Sequence, residues 1–373
     1  MRNHKGTMLG AMVIIIGLSA ASADAQIIYG RPTSGHLQLV YSNWSLEDEY
    51  GKVDVSQLMI PATGFIPLQE NLELRFSAAD ASTTVGVDNA DYSLSGLTDL
   101  RLQVNQSLSD DKLLLSLGIN LPTGKKKLSQ DEDRLIMEFL TQNYLTFPLR
   151  RYGEGFGVNG LVGAAAVSGN IRYGGTLMYQ INGAYQAYQE QGDYKPGNQF
   201  RASLGADTRS DAWRWAADVA FSVYSTDKID AQQVYKQGSH LDLHLGSGYD
   251  AEKTKINVDF RYLIRSRNTH YDSTGAVFDQ LKVYGNEFYF GSRVAYAPSK
   301  AWFVAPLADL RLIAGNEYEF GGSYTVGIGV ESGRTFGEGF DFAAGFKYYT
   351  GSADDGNIDL AGWQLTAGLT AAF

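Results

Sequence analysis

The densest run of side chains able to do chemistry is His240-Leu241-Asp242-Leu243-His244. On an extended strand successive side chains point to opposite faces, so His240, Asp242 and His244 share one face and the two leucines the other. Two imidazoles and a carboxylate at this spacing suit a divalent metal, a proton relay or one side of a charge ladder. A turn at Asp250-Lys253 would pair the segment with residues 254–267, placing Asp242 opposite Arg261 and His244 opposite Asp259. Such a cross-strand pair of opposite charge contributes about 0.2–1 kcal/mol. The ladder is the reading taken here, with no metal assigned. A hydrolase would need a serine beside a histidine, but Ser239 and Ser247 fall on the other face by parity. His270 and Asp272 share a later segment without a second acidic pair. The chain is therefore read as a non-enzyme that needs no cofactor.

Three further segments bear on function. Residues 128–145 place Asp131, Glu132 and Asp133 ahead of Leu135, Ile136, Phe139 and Leu140. Acids before an apolar 3–4 spacing predict a short helix, either folded into a barrel mouth as a gate or capping it from outside. Lys125-Lys126-Lys127 is a solvated charge run or a contact for anionic lipid headgroups. Asp354, Asp355 and Asp359 keep a loop in water or bridge lipopolysaccharide through divalent cations.

The elements that must position these residues are strands. The last segment alternates strictly: Trp363, Leu365, Ala367, Leu369, Ala371 and Phe373 form one face, and Gln364, Thr366, Gly368 and Thr370 the other. A terminal aromatic on the apolar face resembles the C-terminal signal of outer-membrane barrels, carried here by Trp363, Leu365, Leu369 and Phe373. The same dyad recurs through Phe340–Tyr348, Ile256–Ile264, Trp213–Val223 and Leu113–Leu121, the pattern of transmembrane strands. It predicts strands at 70–79, 97–108, 112–122, 157–167, 170–189, 198–208, 212–225, 238–249, 254–267, 285–297, 301–315, 319–333, 337–350 and 361–373. Connections of a few residues alternate with longer ones at 80–96, 123–156, 190–197, 226–237, 268–284 and 351–360, as short periplasmic turns alternate with longer external loops. Residues 26–68 add either two strands, at 36–47 and 53–67, or a plug. Pro61 and Pro67 weigh against a central strand, since proline gives no ladder donor. The fold class is thus all-β, a transmembrane antiparallel β-barrel of 14–16 strands.

Composition fits. The 373 residues contain no cysteine, 42 glycines, 23 tyrosines and 18 phenylalanines, with 19% charged. Without cysteine there is no disulfide scaffold and no thiolate metal site. A net charge of −10 argues against nucleic acid. The mean hydropathy of −0.21 reads as soluble only because half of each strand is polar. Residues 1–25 read as a cleaved signal peptide: basic Arg2 and Lys5, an apolar run at 8–18, and Ala23-Asp24-Ala25 as the cleavage site. Residues 26–373 are then the barrel.

Two motifs carry a family resemblance. Ser95-Gly96-Leu97-Thr98-Asp99-Leu100 and Asn120-Leu121-Pro122-Thr123-Gly124-Lys125, with the segment from Gly64 to Leu74, resemble the outer-membrane family known as "MetA-pathway of phenol degradation". It covers roughly residues 36–125. The resemblance implies kinship with fatty-acid and toluene transporters, which act as passive channels for hydrophobic small molecules. The Asn-Pro-Ala motif of the fatty-acid transporter plug is absent.

The expected function is passive passage of small, hydrophobic or aromatic molecules across the outer membrane. The alternatives are a general water-filled porin and a structural or adhesive barrel with a closed lumen. By parity the expected channel-lining residues are Arg214, His240, Asp242, His244, Lys255, Asp259, Arg261, Arg265, Glu287, Arg293, Asp309 and Arg311. Expected partners are outer-membrane lipid and lipopolysaccharide, the barrel assembly machinery through the last strand, and the solute. No flat lipid-facing patch calls for a trimer.

Overall fold

A computed structural model describes residues 32–373 except 88, 89, 300 and 338. The signal segment lies outside these residues. In chain order the elements are β1 (Ser34–Glu47), β2 (Lys52–Gln69), β3 (Leu72–Val87), β4 (Ala90–Leu97), β5 (Leu100–Leu108), β6 (Leu113–Leu121), α1 (Glu132–Thr141), β7 (Gly157–Ser168), β8 (Ile171–Asn182), β9 (Tyr194–Lys195), β10 (Gln199–Ser210) and β11 (Trp213–Tyr224). There follow β12 (Asp227–Ile229), β13 (Gln232–Lys236), β14 (His240–Asp250), β15 (Thr254–Arg265), β16 (Asn268–Tyr271), β17 (Val277–Leu281), β18 (Glu287–Ser299), β19 (Trp302–Ile313), β20 (Ser323–Thr335), β21 (Phe340–Ala353) and β22 (Ile358–Ala372).

β4 and β5 both pair with β3, one above the other, and form a single barrel strand broken at Thr98-Asp99. Counted so, sixteen antiparallel strands among the described residues make one barrel. It closes where β1 meets β22 from Ser34↔Ala372 to Glu47↔Asp359. Closure leaves the membrane-spanning part of the barrel without a sheet edge, which a chain in hydrocarbon requires because lipid offers no hydrogen-bond partner. The two N-terminal strands are present, so the plug and 14-strand alternatives fall away. Proline leaves its mark all the same. The β1–β2 ladder skips from Leu37↔Ala62 to Val40↔Met59, across Pro61, and the β2–β3 register slips after Pro67.

The alternation has a physical consequence on each face. Leu204, Leu243, Leu245, Phe260, Val326, Ile328, Phe346 and Leu365 are exposed on the outside. Above and below them stand aromatic rows. Trp213 packs with Tyr249 (ring centroids 4.9 Å apart) and Phe340 with Phe373 (6.3 Å) near the end that holds Ser34 and Phe373. Tyr41 packs with Trp363 (5.0 Å) toward the other end. An apolar band between two aromatic girdles is what a bilayer stabilises. Leu204, 67% exposed and midway along β10, tests the assignment. Leu204→Arg lowers stability by about 2–4 kcal/mol, as for a cation at the bilayer midplane. Ser203→Arg, on the inner face, costs far less. Denaturant titration of folding into lipid vesicles measures both.

At the end holding Ser34 and Phe373, neighbouring strands connect by two to four residues. At the opposite end β1 and β2, β3 and β4, and β21 and β22 likewise follow one another within two to four residues. The expected loop 80–96 is therefore mostly strand: β3 and β4 continue past the apolar band as a hairpin, with Ser82, Thr84 and Ser93 now facing outward. The expected strand 170–189 ends at Asn182. The segments 190–197, 226–237 and 268–284 hold β9, β12, β13, β16 and β17, which form a separate five-stranded sheet on the loop side. Their short runs carry too few residues for a legible period.

Candidate functional site

Residues 122–156 enter the barrel. α1 buries Ile136 and Leu140, and the chain beyond it buries Tyr144, Leu145, Phe147, Leu149 and Tyr152. They pack against Trp44, Val55, Val85, Leu94, Ile313, Tyr349 and Leu360. These wall residues come from strands all round the β1 side and share the face opposite the exposed leucines. Inside the lumen is the one place from which a single segment reaches them all. Of the two readings open for 128–145, the inward fold is the one observed.

The two resemblance motifs hold the entry and exit of this segment. Asp99, buried at the break between β4 and β5, accepts hydrogen bonds from the Gly124 amide (2.7 Å), the Asn120 amide side chain (2.8 Å) and the Glu154 amide (2.7 Å). Thr123 Oγ1 accepts from the Leu100 amide (2.8 Å), and Thr98 Oγ1 from the Ala79 amide (2.8 Å). Gly124 must be glycine: a Cβ there would lie 2.4 Å from the Tyr152 carbonyl oxygen. The interrupted strand is thus a clamp. It gives up ladder bonds so that one carboxylate can gather both ends of the inward chain.

The lumen is consequently unequal. On the β1–β4 side, Ser42, Gln57 and Thr83 are fully buried beneath the segment. On the β8–β19 side, inward side chains such as Asp218, Asp259 and Arg261 remain about half exposed. That exposed wall is covered by a charge network. Arg172 pairs with Asp207 (2.6 Å), which also stands 3.7 Å from Arg214. Asp242 is held by Arg261 (2.6 Å) and lies 3.7 Å from Arg201. His244 sits between Asp218 (2.9 Å) and Asp259 (3.3 Å). Glu287 bridges Arg265 (3.0 Å) and Arg311 (2.7 Å). Arg293 meets Glu331 (2.9 Å), and Lys347 meets Asp309.

All twelve residues expected along the channel lie on the inward parity. The structure brings together Asp242 with Arg261, His244 with Asp259, and Arg265 with Glu287 and Arg311. His240 stands apart from Asp242 and His244, contacting the Tyr224 hydroxyl (3.3 Å) and Gln237 (3.4 Å). Lys255 pairs with Asp250 (3.4 Å) beside the turn. The β14–β15 register needs correcting by two residues: His244, not Asp242, is opposite Arg261. The expected partners nevertheless meet, because long side chains reach their diagonal neighbours. Among the described residues no three His, Asp or Glu side chains are placed to hold a metal ion.

Other expectations shift too. His270 pairs with Asp279 and lies 3.2 Å from the Tyr318 hydroxyl, whereas Asp272 accepts from Thr274 and Ala276 within its own turn. Asp354 and Asp355 accept from the Gly321 (2.6 Å) and Gly322 (2.7 Å) amides, tying two loops together. Arg172, Arg201, Asp207 and Asp218 were not singled out from sequence, although their parity within the expected strands marks them. Gln57, Asp99, Arg150 and Arg151 owe their roles to the inward fold, which no period announces.

No protein-family profile matches the chain, and no curated protein does. Among solved structures it is similar to a bacterial polysaccharide outer membrane secretin, with 11% identity over 92% of this chain and 99% of that one, at a TM-score of 0.50. It is also similar to a Pseudomonas aeruginosa FadL homologue (8% identity, 92% and 91% covered, TM-score 0.46). A third is the CymD monoaromatic hydrocarbon channel (12% identity, 92% and 89% covered, TM-score 0.43). At such identities the likeness is one of fold.

Proposed function

We propose that the protein is a passive outer-membrane channel. Solute crosses the β8–β19 half of the lumen, while the inward segment 122–156 fills the other half and sets the cross-section. The observation that carries this reading is the contrast between the two halves: buried Gln57 and Thr83 on one side, half-exposed Asp218, Asp259 and Arg261 on the other. Charges in such numbers stay ionised only where water reaches them. The path is therefore water-filled, which favours the porin-like alternative over passage of a purely hydrophobic molecule. Aromatic bodies remain compatible because the loop side of the barrel is rich in rings. Tyr144 stacks on Phe320 (5.5 Å), and Tyr185 meets Tyr194 edge-on (5.9 Å).

The proposal includes its setting. A cleaved signal peptide directs export. The last strand, with Trp363, Leu365, Leu369 and Phe373, engages the barrel assembly machinery, and the apolar band sits in outer-membrane lipid with lipopolysaccharide around the loops. No residue is assigned a catalytic step. Liposome swelling tests the reading. Proteoliposomes admit small polar solutes at rates that fall with solute size. Impermeability to every small solute would favour the closed, structural barrel.

A further inference from the structure

The inward segment is pinned at two points. Leu149 exchanges two hydrogen bonds with Gln57, its amide donating to Oε1 (3.0 Å) and its carbonyl accepting from Nε2 (2.9 Å). The Tyr152 hydroxyl donates to the Leu94 carbonyl (2.8 Å) and lies 2.9 Å from Thr83 Oγ1. Fastening residues 149 and 152 to one wall turns the two between them away from it. Arg150 and Arg151 are exposed, while their neighbours Leu149 and Tyr152 are buried.

Both guanidiniums point into space enclosed by the barrel. The charges acting on Arg150 are Arg311, Glu287 and Arg265, the triad on the facing wall, with Tyr284 beside them. Around Arg151 stand Tyr185, Glu154, Tyr194 and Tyr284. Neither arginine has an ion pair or hydrogen bond among the described residues. The carboxylates nearby are already engaged: Glu287 by two arginines, Glu154 by Arg101 (2.8 Å). This level of the lumen therefore carries a net positive charge within a chain whose total is −10. Burial, followed by the neighbouring cation Arg311, draws Arg150 below the ordinary guanidinium range. The tyrosines add rings and neutral donors. Burial pushes the Tyr185 hydroxyl up to about 12, so it stays protonated. Tyr194 gives its hydroxyl to Asp227 and presents its ring.

We propose that Arg150 and Arg151 form the selectivity site of the channel, and that the solute they take is a small organic carboxylate on a flat or aromatic body. A guanidinium with both edges free offers a planar fork that matches a carboxylate, and tyrosine faces accept a flat body beside it. This inference rests on the channel reading and names its substrate class.

The test has three parts. In a KCl gradient across a planar bilayer the wild type prefers chloride to potassium, and Arg150→Glu with Arg151→Glu reverses the preference. Benzoate added to one side blocks the current. The half-blocking concentration rises roughly tenfold or more in Arg150→Lys with Arg151→Lys, where charge is kept but the fork is lost. Saturation transfer from the detergent-solubilised protein to benzoate, lost in the same lysine variant, reads the site without any current. A potassium-selective wild type, or benzoate binding unchanged in the lysine variant, overturns the proposal. Equal block by inorganic phosphate overturns the carboxylate class. A silent bilayer with benzoate saturation transfer intact sinks the channel reading and leaves the site standing.

Discussion

Replacing residues 128–148 by a short glycine–serine linker raises the single-channel conductance several-fold. The segment fills the β1–β4 half of the lumen, and its removal opens that half to ions. The barrel should survive. Every barrel strand except β4, which pairs with β3 alone, is paired on both sides without help from the segment, and the Asp99–Gly124–Glu154 clamp lies outside the deletion. The cost is exposure of Trp44, Val55, Val85 and Leu94, each fully buried beneath the segment. Wetting a large apolar side chain costs about 1.5–3 kcal/mol, so the variant folds with reduced stability. Gln57→Leu is the gentler companion. It leaves the Leu149 amide and carbonyl unpaired without deleting any chain, and the current then switches between two levels as the segment loosens. Unchanged conductance in the deletion variant would place the segment outside the ion path.

Glu287→Leu destabilises the barrel through its charge network. Glu287, Arg265 and Arg311 have side chains only 10–16% exposed, so this is the driest part of the charge network. Removing the shared carboxylate leaves two guanidiniums facing each other, with Arg150 nearby as a third. Breaking a buried pair from one side costs about 3–5 kcal/mol, and water in the lumen places this case near the lower figure. The double variant Glu287→Leu with Arg265→Leu regains part of the loss, because one of the stranded charges goes with it. Folding titrations in lipid vesicles separate the two. A single variant as stable as the wild type would mean that solvent already screens the triad.

Much of this was readable from the chain because a barrel writes its period into every strand. The alternation along Trp213–Val223 and Ile256–Ile264 names both faces, and the charged residues at inward parity follow from it. Strand ends were less legible. The hairpin of β3 and β4 continues beyond the apolar band, where alternation is between polar residues and carries little contrast. Register was off by two at β14–β15, because period two leaves a shift by two residues invisible in the pattern. What the chain did not announce was the inward path of 122–156. A loop's direction depends on contacts between Leu149 and Gln57, 92 residues apart, and no local spacing encodes them. The motif at Asp99 and Gly124 is visible in the chain as a resemblance, but its role as a clamp depends on the third partner, Glu154.

The claim on which everything else depends is that half of the lumen is water and half is protein. The chain has no cysteine, so one introduced thiol reports its own surroundings. Asp259→Cys on the open side and Val85→Cys, fully buried beneath the segment, are exposed in turn to a charged, membrane-impermeant thiosulfonate while current is recorded. The account predicts rapid modification of Asp259→Cys with a stepwise fall in conductance, and no reaction of Val85→Cys until residues 128–148 are removed. Equal reactivity at the two positions, or none at Asp259→Cys, would contradict it.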